Sequence, residues 1–211
     1  MSYQAVAWGR SLMADADRQL HDYMIKTTEF KRRLGIHLPK GFHYHGPEDY
    51  TLDHGGGFAS AEMTVGEHAI VMDAVTACRI RFKTGDCYYN AQHLALFDPT
   101  GTLKYVEGMA VGLSNFPVLH GWATINNKVV DLTWRVFTSK RKGRFRDRIM
   151  GEIPDGWAYN GVVFESDWIR ARWAQYGMAY SFLDDMYHGF PIFQEPRLRS
   201  WAEIVKEHQK L

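Results

Sequence analysis

Val118-Leu-His-Gly-Trp-Ala-Thr-Ile-Asn-Asn-Lys-Val-Val-Asp-Leu-Thr-Trp134 decides the fold. Two runs rich in β-branched and aromatic residues flank Asn126-Asn127, and asparagine tolerates the positive φ that a two-residue hairpin turn demands. With the two asparagines at the centre of that turn, Trp122 stands opposite Asp131 and His120 opposite Thr133. Side chains alternate along a strand, so His120, Trp122, Asp131 and Thr133 share one face while Gly121, Ala123, Val130 and Leu132 share the other. His120 and Asp131 become diagonal neighbours within reach of a hydrogen bond. A carboxylate in that position fixes the tautomer of an imidazole and stabilises its cation. The opposite face is small and apolar and suits burial.

Upstream, Leu103 to Leu113 alternates as a further strand, with Glu107 in it as a structural residue. Thr84 to Phe97 reads as a short helix entered through a glycine turn, with Asp86 at the N-cap and the Asp98-Pro99-Thr100-Gly101 turn closing it. An apolar stretch within Ala59 to Arg81, around His68 to Cys78, fits a buried helix. The segment from Gly35 to Phe58 carries Pro39, Pro47, His37, His43, His45 and His54, and reads as long and irregular. Before it, Met13, Ala16, Leu20, Tyr23, Thr27, Phe30 and Leu34 follow a three-four spacing that makes Ser11 to Leu34 an amphipathic helix stopped by Gly35, docked on the domain's own core or on a second copy. Downstream, Ser166 to Met186 reads as a helix with Ile169, Trp173, Tyr176, Tyr180 and Leu183 on one face. Ser200 with Glu203 forms a capping box that starts a last helix bearing Trp201, Ile204, Val205 and His208.

Composition narrows the function classes. The 211 residues are 45 % hydrophobic and 14 % aromatic, a globular composition that excludes a disordered chain. Lys and Arg total 25 against 24 for Asp and Glu, a net charge of +1, so an anionic partner must be met by a local patch. The one concentrated patch is Lys140 to Arg148, with six positive side chains and one negative, formally +5. With only Phe145 as an interleaved aromatic it offers little base stacking, and nucleic acid is the less favoured partner. Two cysteines, Cys78 and Cys87, make neither a disulfide framework nor a zinc knuckle. His43, His45 and His54 lack a fourth ligand at a recognisable spacing, so neither metal nor other cofactor is expected. No basic leader and no long apolar run is present, which suggests a cytoplasmic chain without membrane contact.

Cys87 sits where its helix begins. The thiolate is the nucleophilic form of cysteine, and a helix N-terminus stabilises that anion through unpaired amides and the dipole. Asp86 opposes it by charge, so a basic partner is needed. His93, six residues along the helix, points away from Cys87 and reads as structural. His120 is the better partner, provided that the helix packs over the face that carries it. Cys78 reads as buried core.

Cys87-Tyr-Tyr-Asn-Ala, Tyr105-Val-Glu-Gly-Met-Ala, His120-Gly-Trp122 and Val130-Asp-Leu-Thr-Trp134 occur in the order found in the transglutaminase-like superfamily of papain-like cysteine enzymes, and this stretch, about a quarter of the chain, resembles the core of that superfamily. The resemblance implies a cysteine opening a central helix, with histidine and aspartate on adjacent antiparallel strands. It makes Cys87 the nucleophile, His120 the general base and acid, Asp131 the orienting acid, and Trp122 a shield for the His-Asp pair. Papain-like enzymes often carry an oxyanion-stabilising glutamine shortly before the cysteine, and Arg81 to Asp86 contains none. The Cys87 backbone amide is one expected oxyanion donor and Asn90, one turn on, a candidate second.

The expected fold is therefore a single α+β domain, a central antiparallel sheet with packed helices. It divides into an N-terminal helix and irregular segment (1–58), a catalytic core (59–139), and a basic loop with C-terminal helices (140–211). The expected function is a thiol-dependent hydrolase or acyltransferase acting on a protein, peptide, small amide or thioester. The alternative is a non-catalytic protein on the same scaffold that binds nucleic acid or a protein through residues 140–148. The sequence does not fix an oligomeric state.

Overall fold

The computed structural model describes residues 3–112, 116–136, 145–177 and 179–194. Its centre is the hairpin anticipated above: β3 (Val118–Ile125) and β4 (Lys128–Asp131) pair antiparallel, with Ala123 opposite Val130, Thr124 opposite Val129 and Ile125 opposite Lys128. Asn126 and Asn127 adopt φ of 49° and 62°, the left-handed pair that a primed turn needs. Around this hairpin, β1 (Gly56–Gly57), β2 (Lys104–Val111), β5 (Ile149–Gly151) and β6 (Ala158–Phe164) complete a six-stranded sheet in the order β1-β6-β2-β3-β4-β5. Every neighbouring pair is antiparallel, and the fold is α+β.

Among the described residues five α-helices accompany the sheet: α1 (Tyr3–Arg33), α2 (Pro47–His54), α3 (Val65–Cys78), α4 (Cys87–Leu96) and α5 (Ser166–Tyr176). α3 starts in a complete capping box, Thr64 with Glu67, a feature that typically contributes about 1 kcal/mol. The Glu67 carboxylate also accepts from Asn126 and Lys128 at 2.8 and 2.7 Å, which ties the start of α3 to the hairpin turn. No described helix is long and apolar enough to cross a membrane.

Both faces of the sheet are covered, and this corrects the expected docking. Leu94 of α4 packs with Val71, Ala74 and Val75 of α3 against Ala123, Ile125, Val130 and Leu132. The helix therefore lies on the small apolar face and not on the face that carries His120. Trp122, on the histidine's face, is buried with Phe58, Val106, Ala110, Val129, Ile149, Ile153, Trp157 and Tyr159. Period-two alternation sorts residues between faces, but two apolar faces leave open which one a helix takes.

Other expectations shift by identifiable causes. The segment 35–58 is not irregular throughout: Pro47 at the first turn of α2 supplies a preset φ, and Tyr50 and Thr51 anchor that helix inward. α5 stops at Tyr176, well short of Met186, because Gly177 takes a left-handed φ of 72° and caps it. In α1 the buried line is Ala16, Leu20, Met24 and Thr28, an i,i+4 row, while Phe30 and Leu34 of the three-four stripe are 60 % and 59 % exposed. The buried row advances four residues at each step and so turns away from the three-four stripe after Leu20. The strand expected from Leu103 to Leu113 is β2, Lys104–Val111. β4 ends at Asp131, and Leu132 to Trp134 bends away. The helix proposed to begin at Ser200 lies outside the described residues, as do Lys140 to Arg144 of the basic run.

Candidate active site

The bend after Asp131 shapes the site. The β3–β4 ladder ends at Ala123 and Val130, and the segment beyond it is held by the Asp131 side chain, whose Oδ1 accepts from the Thr133 and Trp134 amides at 2.8 and 3.2 Å. Asn90, in the first turn of α4, donates from Nδ2 to Thr133 Oγ1 at 2.9 Å. The N-terminus of α4 thus sits beside the place where the two strands part. A helix on one face can reach a histidine on the other through that opening, and Cys87 lies near enough to His120 to raise its pKa.

His120 uses its other nitrogen for the acid: Nε2 lies 2.8 Å from Asp131 Oδ2, which leaves Nδ1 for the sulfur. His120 and Asp131 are 2 % and 1 % exposed, whereas Cys87 is half-buried. Cys87, His120 and Asp131 are thus brought together, with His120 and Asp131 enclosed and Cys87 the least buried of the three. Burial by itself pushes the imidazole down, but the Asp131 charge and hydrogen bond override it with help from Cys87, and His120 stands at about 9. Burial pushes the Asp131 carboxyl up, and the His120 cation together with the Thr133 and Trp134 amides brings it below the usual carboxylate range.

These shifts make a stability prediction. A histidine raised above its unfolded value stabilises the fold fully below about 6.5, its ordinary pKa, and loses that contribution as pH climbs through about 9. The denaturation free energy of wild type minus that of His120→Asn should therefore shrink between pH 7 and pH 10, as measured by urea unfolding. A constant difference across that range would contradict the pairing.

The aromatic surroundings differ in detail from expectation. Trp122 is fully buried at 6.2 Å from the His120 ring, but Trp134 stacks directly on it at 4.1 Å and 16°. Trp134 is the closer aromatic neighbour, and its ring face favours a protonated imidazole. Tyr159, from β6, donates its hydroxyl to Asp131 Oδ2 at 3.0 Å, filling the carboxylate's remaining acceptor position. Nothing local in the sequence marks Tyr159, since it arrives only through strand order. Arg148, the last residue of the basic run, is 5 % exposed and donates to the Thr133 carbonyl. It supports the site from behind and is not available as a surface cation.

Asn90 is not a free oxyanion donor. Both hydrogens of its amide are used, one for Thr133 Oγ1 and one for the Lys83 carbonyl at 2.7 Å. Asp86 occupies the N-cap position of α4 without making a side-chain capping bond, so the start of the helix lacks a side-chain cap. His93 is buried against Tyr89 and Trp173 with Nδ1 2.8 Å from the Tyr89 carbonyl, and burial pushes its pKa down. Cys78 is buried with its sulfur 3.3 Å from the His93 carbonyl, and burial pushes the thiol up to about 11. Among the described residues no group of three or more His, Cys, Asp or Glu is placed to hold a metal ion. His54 of the histidine-rich segment instead meets the Tyr44 hydroxyl at 2.7 Å.

No family model, no curated protein and no solved structure matches this chain.

Proposed function

We propose that the protein is a thiol-dependent enzyme that forms an acyl-enzyme on Cys87 and cleaves or transfers an amide- or peptide-type bond. The observation that carries this reading is the juxtaposition of Cys87 with the hydrogen-bonded His120–Asp131 pair, the thiol half-buried at a helix N-terminus and the imidazole and carboxylate enclosed. A protonated His120 can hold the sulfur as a thiolate. Attack on a carbonyl carbon forms the carbon–sulfur bond and moves the carbonyl electrons onto oxygen, which the first amides of α4 can receive. His120 then delivers its Nδ1 proton to the leaving amine as the carbon–nitrogen bond breaks, and Asp131 keeps the ring oriented. Water attacking the thioester would make a peptidase, amidase or deamidase, and an amine would make an acyltransferase; in either case His120 takes the proton of the incoming group.

In the described part of the run Arg146 is exposed and Arg148 is buried, so the competing idea of a binding protein using residues 140–148 cannot draw on Arg148. The two cysteines supply an internal control for the enzyme reading. Iodoacetamide at neutral pH, followed by mass spectrometry, should label Cys87 at least about 10-fold faster than an unstructured thiol and leave Cys78 unlabelled. Acyl-directed covalent probes should mark wild type but not Cys87→Ala. Labelling of Cys87 at or below the unstructured rate would remove the proposal.

A further inference from the structure

Glu107 is 0 % exposed, and the partners found for its carboxylate are neutral donors. Its oxygens accept from the Tyr105 hydroxyl, from Ser181 Oγ at 2.8 Å, and from the Phe182 and Leu183 amides at 2.7 and 2.9 Å. Three of these donors belong to Ser181–Leu183, a stretch outside regular secondary structure. A buried carboxylate is costly, and an apolar side chain would fill a core with less expense of desolvation. What the carboxylate adds is a fixed place for that stretch.

The same stretch grips α4. Gln92 donates from Nε2 to the carbonyl of Tyr180, the residue before Ser181, at 2.6 Å. The ring of Tyr88, in the first turn of α4, lies against Gly121, where a Cβ would come within 2.8 Å of it. Tyr88 follows Cys87 in the chain and Gly121 follows His120, so an α4 held in place by Gln92 keeps the sulfur's neighbour against the imidazole's neighbour.

We propose that Glu107 is a positioning residue for the Cys87–His120 pair, acting through the Ser181–Leu183 stretch that it anchors and the Gln92–Tyr180 hydrogen bond that ties α4 to that stretch. Loss of any link lets the first turn of α4 drift relative to β3. A misplacement of about 1 Å can lower a rate about 100-fold, so a partial release should lower Cys87 reactivity about 10-fold or more. This inference rests on the thiol-enzyme reading, and its test separates the two.

The test compares wild type with Gln92→Met, Ser181→Ala and Glu107→Gln in three measurements: melting temperature, the pH dependence of Cys87 alkylation, and the titration midpoint of His120 by NMR. Positioning predicts that Gln92→Met, which removes the tie to the Tyr180 carbonyl, shifts both the alkylation profile and the His120 midpoint, and that Ser181→Ala shifts them the same way. A lowered melting temperature with an unshifted alkylation profile and an unshifted His120 midpoint overturns it and leaves Glu107 a purely structural anchor. Should Glu107→Gln fail to fold, the two milder variants decide. If wild-type Cys87 is no more reactive than an unstructured thiol, the thiol-enzyme reading fails, while the His120 midpoint in Gln92→Met still reports whether the clamp acts on the pair.

Discussion

Asp131→Asn should give a folded protein that forms an acyl-enzyme about 10³- to 10⁴-fold more slowly than wild type, a loss typical of a triad whose imidazole is set in the wrong tautomer. The geometry explains why the fold survives and the chemistry does not. Oδ1 of Asp131 receives the Thr133 and Trp134 amides, and an asparagine carbonyl can keep both. Oδ2 faces the His120 ring and the Tyr159 hydroxyl, and the asparagine NH₂ that replaces it can only donate. The imidazole must then offer Nε2 as an acceptor and carry its single hydrogen on Nδ1, so it can no longer withdraw a proton from Cys87. Without the carboxylate, burial dominates and His120 should titrate well below the wild-type value of about 9. Stopped-flow measurement of thioester formation with an activated acyl donor, alongside an NMR titration of His120, reads both consequences. Acylation within about 10-fold of wild type would show that Asp131 is dispensable and would sink the triad. Asp131→Ala is a poorer probe, since removing one partner of a buried pair typically costs about 3–5 kcal/mol and mixes unfolding with chemistry.

The hairpin that organises this site was legible because its signal is local. Asn126-Asn127 fixed the turn, the turn fixed the register, and the register placed His120 diagonal to Asp131, all within seventeen residues of sequence. The helix beginning at Cys87 was equally readable from its glycine turn and apolar spacing. What the sequence could not supply was arrangement between distant elements. Tyr159 reaches Asp131 only because β6 lies two strands away from β3 across β2. Glu107 was readable as structural, but not as a clamp, because its partners at Ser181–Leu183 lie more than seventy residues along the chain. α2 escaped notice for a different reason: Pro47 and the neighbouring glycines look like loop punctuation, whereas a proline in the first turn starts a helix as readily as it ends one. Asn90 was correctly placed one turn beyond Cys87, yet a side-chain amide in that position belongs to whichever acceptor is nearest, and Thr133 and the Lys83 carbonyl are there first.

The glycines behind the site set a harder constraint than its polar residues. Gly108 of β2 pairs with His120 on one side and with Gly161 of β6 on the other. A Cβ on Gly108 would stand 2.1 Å from the Asn160 carbonyl oxygen and 2.3 Å from the Gly161 Cα. Both are backbone atoms in a central ladder, so no side-chain rotation relieves the overlap, and β2 and β6 would have to separate. Gly108→Ala should therefore cost about 3 kcal/mol or more, at or beyond the upper end for overpacked cores. Because the strand that moves is paired with His120, the surviving folded fraction should also show slowed alkylation of Cys87. Gly57→Ala is the matched control: it lies in the edge strand of the same sheet, and a Cβ there meets nothing within 4 Å. Its urea midpoint should correspond to a change within about 0.5 kcal/mol. Equal midpoints for the two alanine variants would mean that β2 and β6 can part without penalty. The close approach that seats β2 beside His120 would then have no energetic basis.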